Sequence, residues 1–132
     1  MTAVNLLTYD DYVALPNDGK RYEILDGELF VTAAPSRNHQ RVVLTLAMSL
    51  EMHVRSHNLG EVDIAPFDTI LSDPNVVQPD IIFVANDRMP SFSNRGFEGA
   101  PTLIIEALSP STAPVDLPPF AGLTLDPHVI WP

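Results

Sequence analysis

The sequence of 132 residues contains no cysteine and only one lysine. The absence of cysteine excludes disulfide bonds, thiol nucleophiles and cysteine-based metal sites, and it is compatible with a reducing cytoplasm, where we expect this protein. Seven Lys and Arg residues stand against seventeen Asp and Glu residues, which gives a formal net charge of −10. This balance argues against non-specific nucleic-acid binding, because such binding depends on basic side chains that neutralise phosphates. It is compatible with a metal site, since carboxylates gathered around a cation also make a chain acidic.

Long apolar runs are also absent from the sequence. No run approaches the ~20 residues that a membrane-spanning helix needs. The first residues lack a basic segment followed by an apolar run, so we expect neither a signal peptide nor a membrane partner. The composition is typical of a globular chain, with 45% hydrophobic and 18% charged residues. We therefore expect a single domain over residues 1–132.

Local patterns predict the order helix, hairpin, long helix, strand, strand, loop, strand. Asp26-Gly27 predicts a tight hairpin turn inside "RYEILDGELFVT", and a 3–4 apolar spacing after Ser36 predicts the long helix. We expect "GEVDIAPFDTIL", "VVQPDIIFV" and "TLIIEALS" each to form a strand, and "ANDRMPSFSNRGFEGAP" to form a loop. This order favours an α/β fold with a mixed β-sheet flanked by helices.

Two of these apolar strands each carry one acidic residue, Asp80 in "VVQPDIIFV" and Glu106 in "TLIIEALS". An unpaired carboxylate is costly to bury. If the two strands are neighbours, the two carboxylates repel one another, which raises one pKa or recruits a cation. Mg²⁺ prefers one or two carboxylates together with waters and substrate phosphates, so the pair suits metal-assisted phosphodiester cleavage. The alternative is structural, with each acid capping a loop or pairing with an arginine.

Five segments of the sequence resemble one known family. They are "RYEILDGELFV", "SRNHQRVV", "GEVDIAPFDTIL", "NVVQPDIIFV" and "LIIEALSPST", and together they look like the Uma-type "putative restriction endonuclease" family of the PD-(D/E)xK nuclease superfamily, a bacterial branch. The resemblance implies a restriction-endonuclease-like fold and hydrolysis of DNA by a Mg²⁺-activated or Mn²⁺-activated water. It also implies that Asp80 and Glu106 are the metal ligands, that Gln78 flanks the site, and that Glu23 or Glu28 completes it.

The sequence departs from the superfamily motif at one important position. The motif has a lysine two residues after the glutamate, where this chain has Leu108, and the only lysine of the sequence, Lys20, lies far from the motif along the chain. Relative to the family pattern, a block is also missing between Ala113 and Pro114. There are two explanations. Either the gene has lost this block, or the block exists between these two residues but is omitted from the numbered sequence. In the second case the expected lysine can lie within the block.

Two functional hypotheses follow from these observations. The first is a metal-dependent DNA endonuclease that acts through Asp80 and Glu106. The second is a nuclease-fold module, expected to be a homodimer, that binds or assembles without cleaving. Other polar groups receive structural interpretations. The pair His53 and His57 on the long helix lacks a catalytic acid between them. His39 lies in the first helical turn, within reach of the predicted site, but a structural role is favoured for it.

Overall fold

The computed structural model describes residues 5–32 and 34–107, together with the backbone of two short strands at 115–116 and 124–125. Two α-helices, one 3₁₀ helix and eleven strands lie within this part of the chain. In chain order they are α1 Tyr9–Val13, β1 Arg21–Leu25, β2 Glu28–Thr32, α2 Arg37–Ser56, β3 Gly60–Ile64, β4 Thr69–Ser72, β5 Asn75–Val77, β6 Ile81–Ala85, the 3₁₀ helix Asn86–Ser91, β7 Phe92–Ser93, β8 Gly96–Glu98, β9 Leu103–Ile105, β10 Val115–Asp116 and β11 Thr124–Leu125.

The strands form two principal sheets. The larger sheet has six strands in the order β2-β1-β5-β4-β8-β7, and its β4–β8 pair is parallel. The smaller sheet has three antiparallel strands in the order β3-β6-β9. The strands β10 and β11 pair only with each other among the described strands. The predicted α/β class with mixed sheet pairing and flanking helices is therefore confirmed.

The predicted hairpin and long helix both form. In the hairpin turn, Asp26 and Gly27 have φ angles of 50° and 75°, the positive values that a two-residue turn of this kind requires. Ser36 caps α2, because its Oγ accepts a hydrogen bond from the backbone N–H of His39 at 3.2 Å. The helix ends before Asn58, whose φ of 52° stops the helical conformation.

The helix α2 packs its apolar stripe across the three-stranded sheet. Five of its residues are buried, as the periodicity predicts: Val42, Val43, Leu46, Leu50 and Val54. They join Ile81 and Phe83 of β6 in one hydrophobic cluster. On the other face of β6, Ile82 and Val84 pack with Phe97 of β8. Strand β6 is thus buried on both faces, which explains its almost continuous apolar sequence.

Two segments predicted as single strands each contribute to two different sheets. "VVQPDIIFV" provides the last residues of β5 in the six-stranded sheet and most of β6 in the three-stranded sheet, with Gln78–Asp80 as the crossing. "GEVDIAPFDTIL" likewise provides β3 and most of β4, with residues 65–68 as the crossing. Asp80 therefore precedes a strand, and the prediction that it lies inside one is wrong. Pro79 occurs where no ladder hydrogen bond is needed, which explains how a proline fits this apolar run.

The two crossings lie side by side. The backbone N–H of Ala65 donates to the carbonyl oxygen of Asp80 at 3.0 Å, and the side-chain amide of Gln78 donates to Asp68 Oδ1 at 3.0 Å. The chain consequently passes between its two sheets twice at the same place, and Gln78 and Asp80 of the predicted site lie at this double crossing.

The segment predicted as a long loop is largely ordered into short elements. It contains the 3₁₀ helix and the small hairpin formed by β7 and β8. None of the helices in the described ranges is long and apolar enough to cross a membrane. Leu108 and the expected break between Ala113 and Pro114 lie outside the described residues, so the missing block stays a prediction.

Candidate active site at the crossing between the sheets

Asp80 and Glu106 flank the end of the ladder between β6 and β9. The last pair of this antiparallel ladder is Ile81 with Ile105, so Asp80 immediately precedes one strand and Glu106 immediately follows its neighbour. This register brings the two acidic residues side by side at one edge of the three-stranded sheet. The sequence prediction that neighbouring strands bring them together is consistent with this register, although neither residue lies inside its strand.

The carboxylate of Asp80 is buried and holds partners on both oxygens. Its side chain is 3% exposed. Arg21 Nη2 donates to Oδ1 at 2.8 Å, His39 Nε2 lies 3.1 Å from Oδ2, and the backbone N–H of Ala107 donates to Oδ2 at 2.8 Å. These contacts compensate for the loss of water around the carboxylate. His39 therefore reaches the site from the first turn of α2.

The two acidic groups differ in protonation. Burial alone would raise the pKa of Asp80, but the Ala107 N–H and the Arg21 guanidinium outweigh it and hold the pKa of this carboxyl below its ordinary value. Glu106 is accessible to solvent, yet partial desolvation, followed by the hydrogen bond and charge of Asp80, raises its pKa to about 7. Near neutral pH the pair therefore shares one proton, held mainly on Glu106.

A second polar network supports the site from the six-stranded sheet. Glu23 Oε2 accepts a hydrogen bond from the backbone N–H of Gln78 at 2.8 Å. The Gln78 side-chain amide donates to the Tyr12 hydroxyl at 2.8 Å and to Asp68 at 3.0 Å, and that hydroxyl donates to Asp68 Oδ1 at 2.6 Å. Desolvation and the bond to Asp68 raise the pKa of Tyr12, which keeps the phenol protonated. Glu23 also adds its charge to the field that raises the pKa of Glu106.

The other hairpin acid has a different environment. Glu28 is exposed and pairs with Leu25 next to the turn, whereas Glu23 pairs with Phe30, two positions further from the turn. The structure therefore places Glu23, rather than Glu28, beside the crossing. At the end of α2, the rings of His53 and the following His57 lie with their centroids 4.3 Å apart and their planes tilted by 31°.

A cavity of about 380 Å³ opens beside Asp80. Residues from both sheets and from α2 line it: Gly19, Lys20, Arg21, Pro35, Gln40, Val43, Leu44, Ile64, Ala65, Pro66, Gln78 and Asp80. This volume is within the range of small-ligand sites. Lys20, which the sequence places far from the acidic motif, thus lines the same cavity as Asp80, because the strand that follows it carries Arg21 to that carboxylate.

Sequence reasoning missed Arg21, Tyr12 and Asp68 as parts of the site. One signal for Arg21 was present in the sequence, since Arg21 and Glu23 are two residues apart and a strand places such residues on one face. Tyr12 and Asp68 lie 66 and 10 positions from Gln78, respectively. No local sequence pattern predicts contacts between residues this far apart.

The chain matches the model of the Uma2 family, described as "Putative restriction endonuclease", over residues 9–118. The chain belongs to this family. The matched range contains the Asp80–Glu106 pair and the lining of the cavity. No curated protein matches the chain significantly.

One solved structure similar to this Uma2 family member is the crystal structure of a putative nuclease belonging to DUF820 from Anabaena variabilis. The two share 20% sequence identity, with a TM-score of 0.63. The match covers 78% of this chain and 59% of the other, so the present chain corresponds to little more than half of that protein. At this identity the likeness shows the fold, and it agrees with the restriction-endonuclease-like architecture expected from the sequence.

Proposed function

We propose that this chain is a metal-dependent DNA endonuclease in which Asp80 and Glu106 hold Mg²⁺ or Mn²⁺. The observation that carries the proposal is that Asp80, which lines the cavity, lies beside Glu106 at the end of the β6–β9 ladder. Two carboxyl groups that share a proton near neutral pH provide a place where a divalent cation can replace that proton. The match to a family described as "Putative restriction endonuclease" supports the choice of DNA as substrate.

The two carboxylates are oxygen donors of the kind that a hard cation takes, and a cation at Asp80 would have to replace one of the contacts that Arg21, His39 and the Ala107 N–H make with its oxygens. Within the described ranges, no group of three His, Cys, Asp or Glu side chains is arranged to hold a metal. A site of only two carboxylates leaves coordination positions for water and phosphate oxygens. Mg²⁺ is usually bound in this way. When bound, such an ion activates a water for attack on phosphorus and offsets charge on the phosphate oxygens.

The protein groups around the pair have separate roles in this proposal. Asp80 provides a permanently ionised ligand, because Arg21 and the Ala107 N–H keep its pKa low. Glu106 becomes a ligand when it loses its proton. Glu23 positions the crossing through the N–H of Gln78, and we assign no ligand role to the exposed Glu28.

Nicking of a supercoiled plasmid tests the proposal. We expect cleavage with Mg²⁺ or Mn²⁺, none with a chelator, and loss of cleavage in Asp80→Asn and Glu106→Gln. Glu28→Gln removes a charge in the same way outside the pair, so its rate should stay within about twofold. Cleavage that survives in both pair variants, or in excess chelator, would contradict the proposal.

A second candidate function is a nuclease-fold module that binds or assembles without cleaving, as a homodimer. It is favoured by Leu108 at the position of the expected lysine, and by Arg21 and His39, which already contact both oxygens of Asp80. Calorimetric titration with Mg²⁺ and Mn²⁺ separates the two candidates. Metal binding that Asp80→Asn removes supports the endonuclease, whereas a folded dimer with neither metal affinity nor nicking supports the module.

A further inference from the structure

Basic residues are scarce in this chain, and two of them occur together at the cavity. Lys20 and Arg21 are consecutive, and both line the space beside Asp80. The turn before them fixes their position, because the backbone N–H of Lys20 donates to Asp18 Oδ1 at 3.1 Å and Gly19 adopts a φ of 81°. With Asp80 also in the lining, the charged residues around the cavity are two cations and one anion, in a protein whose formal net charge is −10.

The two basic side chains differ in whether they already form an ion pair. Arg21 is 19% exposed and holds Asp80 Oδ1 at 2.8 Å, so its guanidinium is committed to that carboxylate. Lys20 is exposed; its ammonium group forms no ion pair or side-chain hydrogen bond among the described residues, and the charged group that it acts on is the exposed carboxylate of Asp18. A lysine ammonium is a compact charge on a flexible stem, which suits contact with an incoming anion.

We propose that Lys20 binds a phosphate of the DNA strand that enters the cavity, and that Arg21 is a positioning residue that holds Asp80. The inference rests on the proposed function and names the cationic contact for its substrate. The carboxylates of Glu23 and Asp80 repel a phosphate, so a cation at the rim favours the approach of the strand. The only lysine of the sequence thus acts from the first hairpin, in a chain that has Leu108 at the motif position.

A charge-matched pair of variants tests the role of Lys20. Lys20→Gln and Arg55→Gln each remove one positive charge. Arg55 is 80% exposed and pairs with Glu51, and it lies eleven residues beyond Leu44 of the cavity lining, about 16 Å further along the helix. The measurement is the fluorescence anisotropy of a labelled short duplex in chelator, over a series of salt concentrations.

We expect Lys20→Gln to weaken DNA binding about tenfold at low salt, the order of one charge-assisted contact. The slope of log affinity against log salt should fall by about 0.9, as for the loss of one phosphate contact. Lys20→Arg should keep most of the affinity, and Arg55→Gln should change neither quantity appreciably. Equal affinities and slopes for Lys20→Gln and Arg55→Gln would overturn the inference.

Chemical acetylation gives a second measurement on the unmodified sequence. Because Lys20 is the only lysine, mass spectrometry assigns side-chain amine acetylation to it without ambiguity. The duplex should slow this acetylation at least about tenfold at saturating concentration, since a bound phosphate covers the amine. An acetylation rate that DNA leaves unchanged would refute the contact.

These assays separate the inference from the proposed function, because DNA binding is measured without metal and without cleavage. If Lys20-dependent binding is found but no metal supports nicking, the endonuclease proposal fails and the contact stands. If metal-dependent nicking is found but Lys20→Gln behaves as Arg55→Gln does, the inference fails and the endonuclease proposal stands.

Discussion

Arg21 Nη2 lies 2.8 Å from Asp80 Oδ1, and this ion pair joins the six-stranded sheet to the crossing that leads into the three-stranded sheet. Arg21 begins β1 of the six-stranded sheet, whereas Asp80 immediately precedes β6 of the three-stranded sheet. The ion pair is thus a tertiary contact between the sheets as well as part of the candidate active site. A change at either residue should affect both stability and function.

We expect Asp80→Asn to lower both stability and nicking. The amide leaves the Arg21 guanidinium without its partner charge, and the penalty for a partly buried pair of this kind is about 1–3 kcal/mol in the free energy of unfolding. The nicking rate should fall at least about a hundredfold, because a predicted metal ligand is lost. Urea denaturation and plasmid nicking measure the two effects. Asp87→Asn, the same change at an exposed position of the 3₁₀ helix, serves as the control and should alter neither.

Tyr12→Phe tests the network that holds Gln78. The substitution removes the hydroxyl that bonds both Asp68 and Gln78 and should cost about 1–2 kcal/mol in the free energy of unfolding. Tyr9→Phe is the matched control, since Tyr9 contributes its ring face to Arg95, whose Cζ lies 4.0 Å from the centroid. Thermal and urea unfolding of both variants make the comparison. A loss in Tyr12→Phe no larger than in Tyr9→Phe would show that the network contributes nothing.

Asp63 should make stability depend on pH. Desolvation, followed by the charge of Glu61, raises its pKa to about 6 from an ordinary value of 3.8, and Glu51 adds to this shift. A folded-state pKa above the unfolded value contributes stability that is present below about pH 4 and is lost as pH rises through about 6. Asp63→Asn should therefore raise the urea midpoint at pH 8. The corresponding gain in the free energy of unfolding should be less than about 1 kcal/mol, because solvent screens the charges.

At about pH 3 the urea midpoint of Asp63→Asn should approach that of the wild type, since Asp63 is then mostly protonated in both the folded and unfolded chains. Glu28→Gln provides the control for removal of one exposed acid. A gain at pH 8 that persists unchanged at about pH 3 would contradict the assigned cause.

Leu50→Ala tests the packing of α2 on the three-stranded sheet. Leu50 is 1% exposed, and removal of its side chain leaves a cavity that should cost about 2–5 kcal/mol. Met52→Ala, on the same helix at 67% exposure, should stay within about 0.5 kcal/mol. Chemical denaturation monitored by circular dichroism measures both. Similar losses in the two variants would mean that the apolar stripe does not form the core.

Features controlled by neighbouring residues were predictable from the sequence. The Asp26-Gly27 turn and the apolar stripe of α2 depend on backbone preference and helical periodicity. The passage of "VVQPDIIFV" from one sheet to the other was not predictable, because apolar periodicity carries no information on which strands pair. The placement of Lys20 and Arg21 beside Asp80 was not predictable for the same reason. It depends on the pairing of β1 with β5 through Ile24 and Val76.

The double crossing links assembly of the candidate active centre to folding of the whole described α/β unit. The acids adjoin one sheet, while their arginine and the glutamate that supports the crossing come from the other. A half-formed chain with only the three-stranded sheet in place would hold two repelling carboxylates without Arg21 to compensate them. The candidate site should therefore assemble only when both sheets have formed, and a chain that lacks the first hairpin should lose both the Arg21 contact with Asp80 and the Glu23 contact with Gln78.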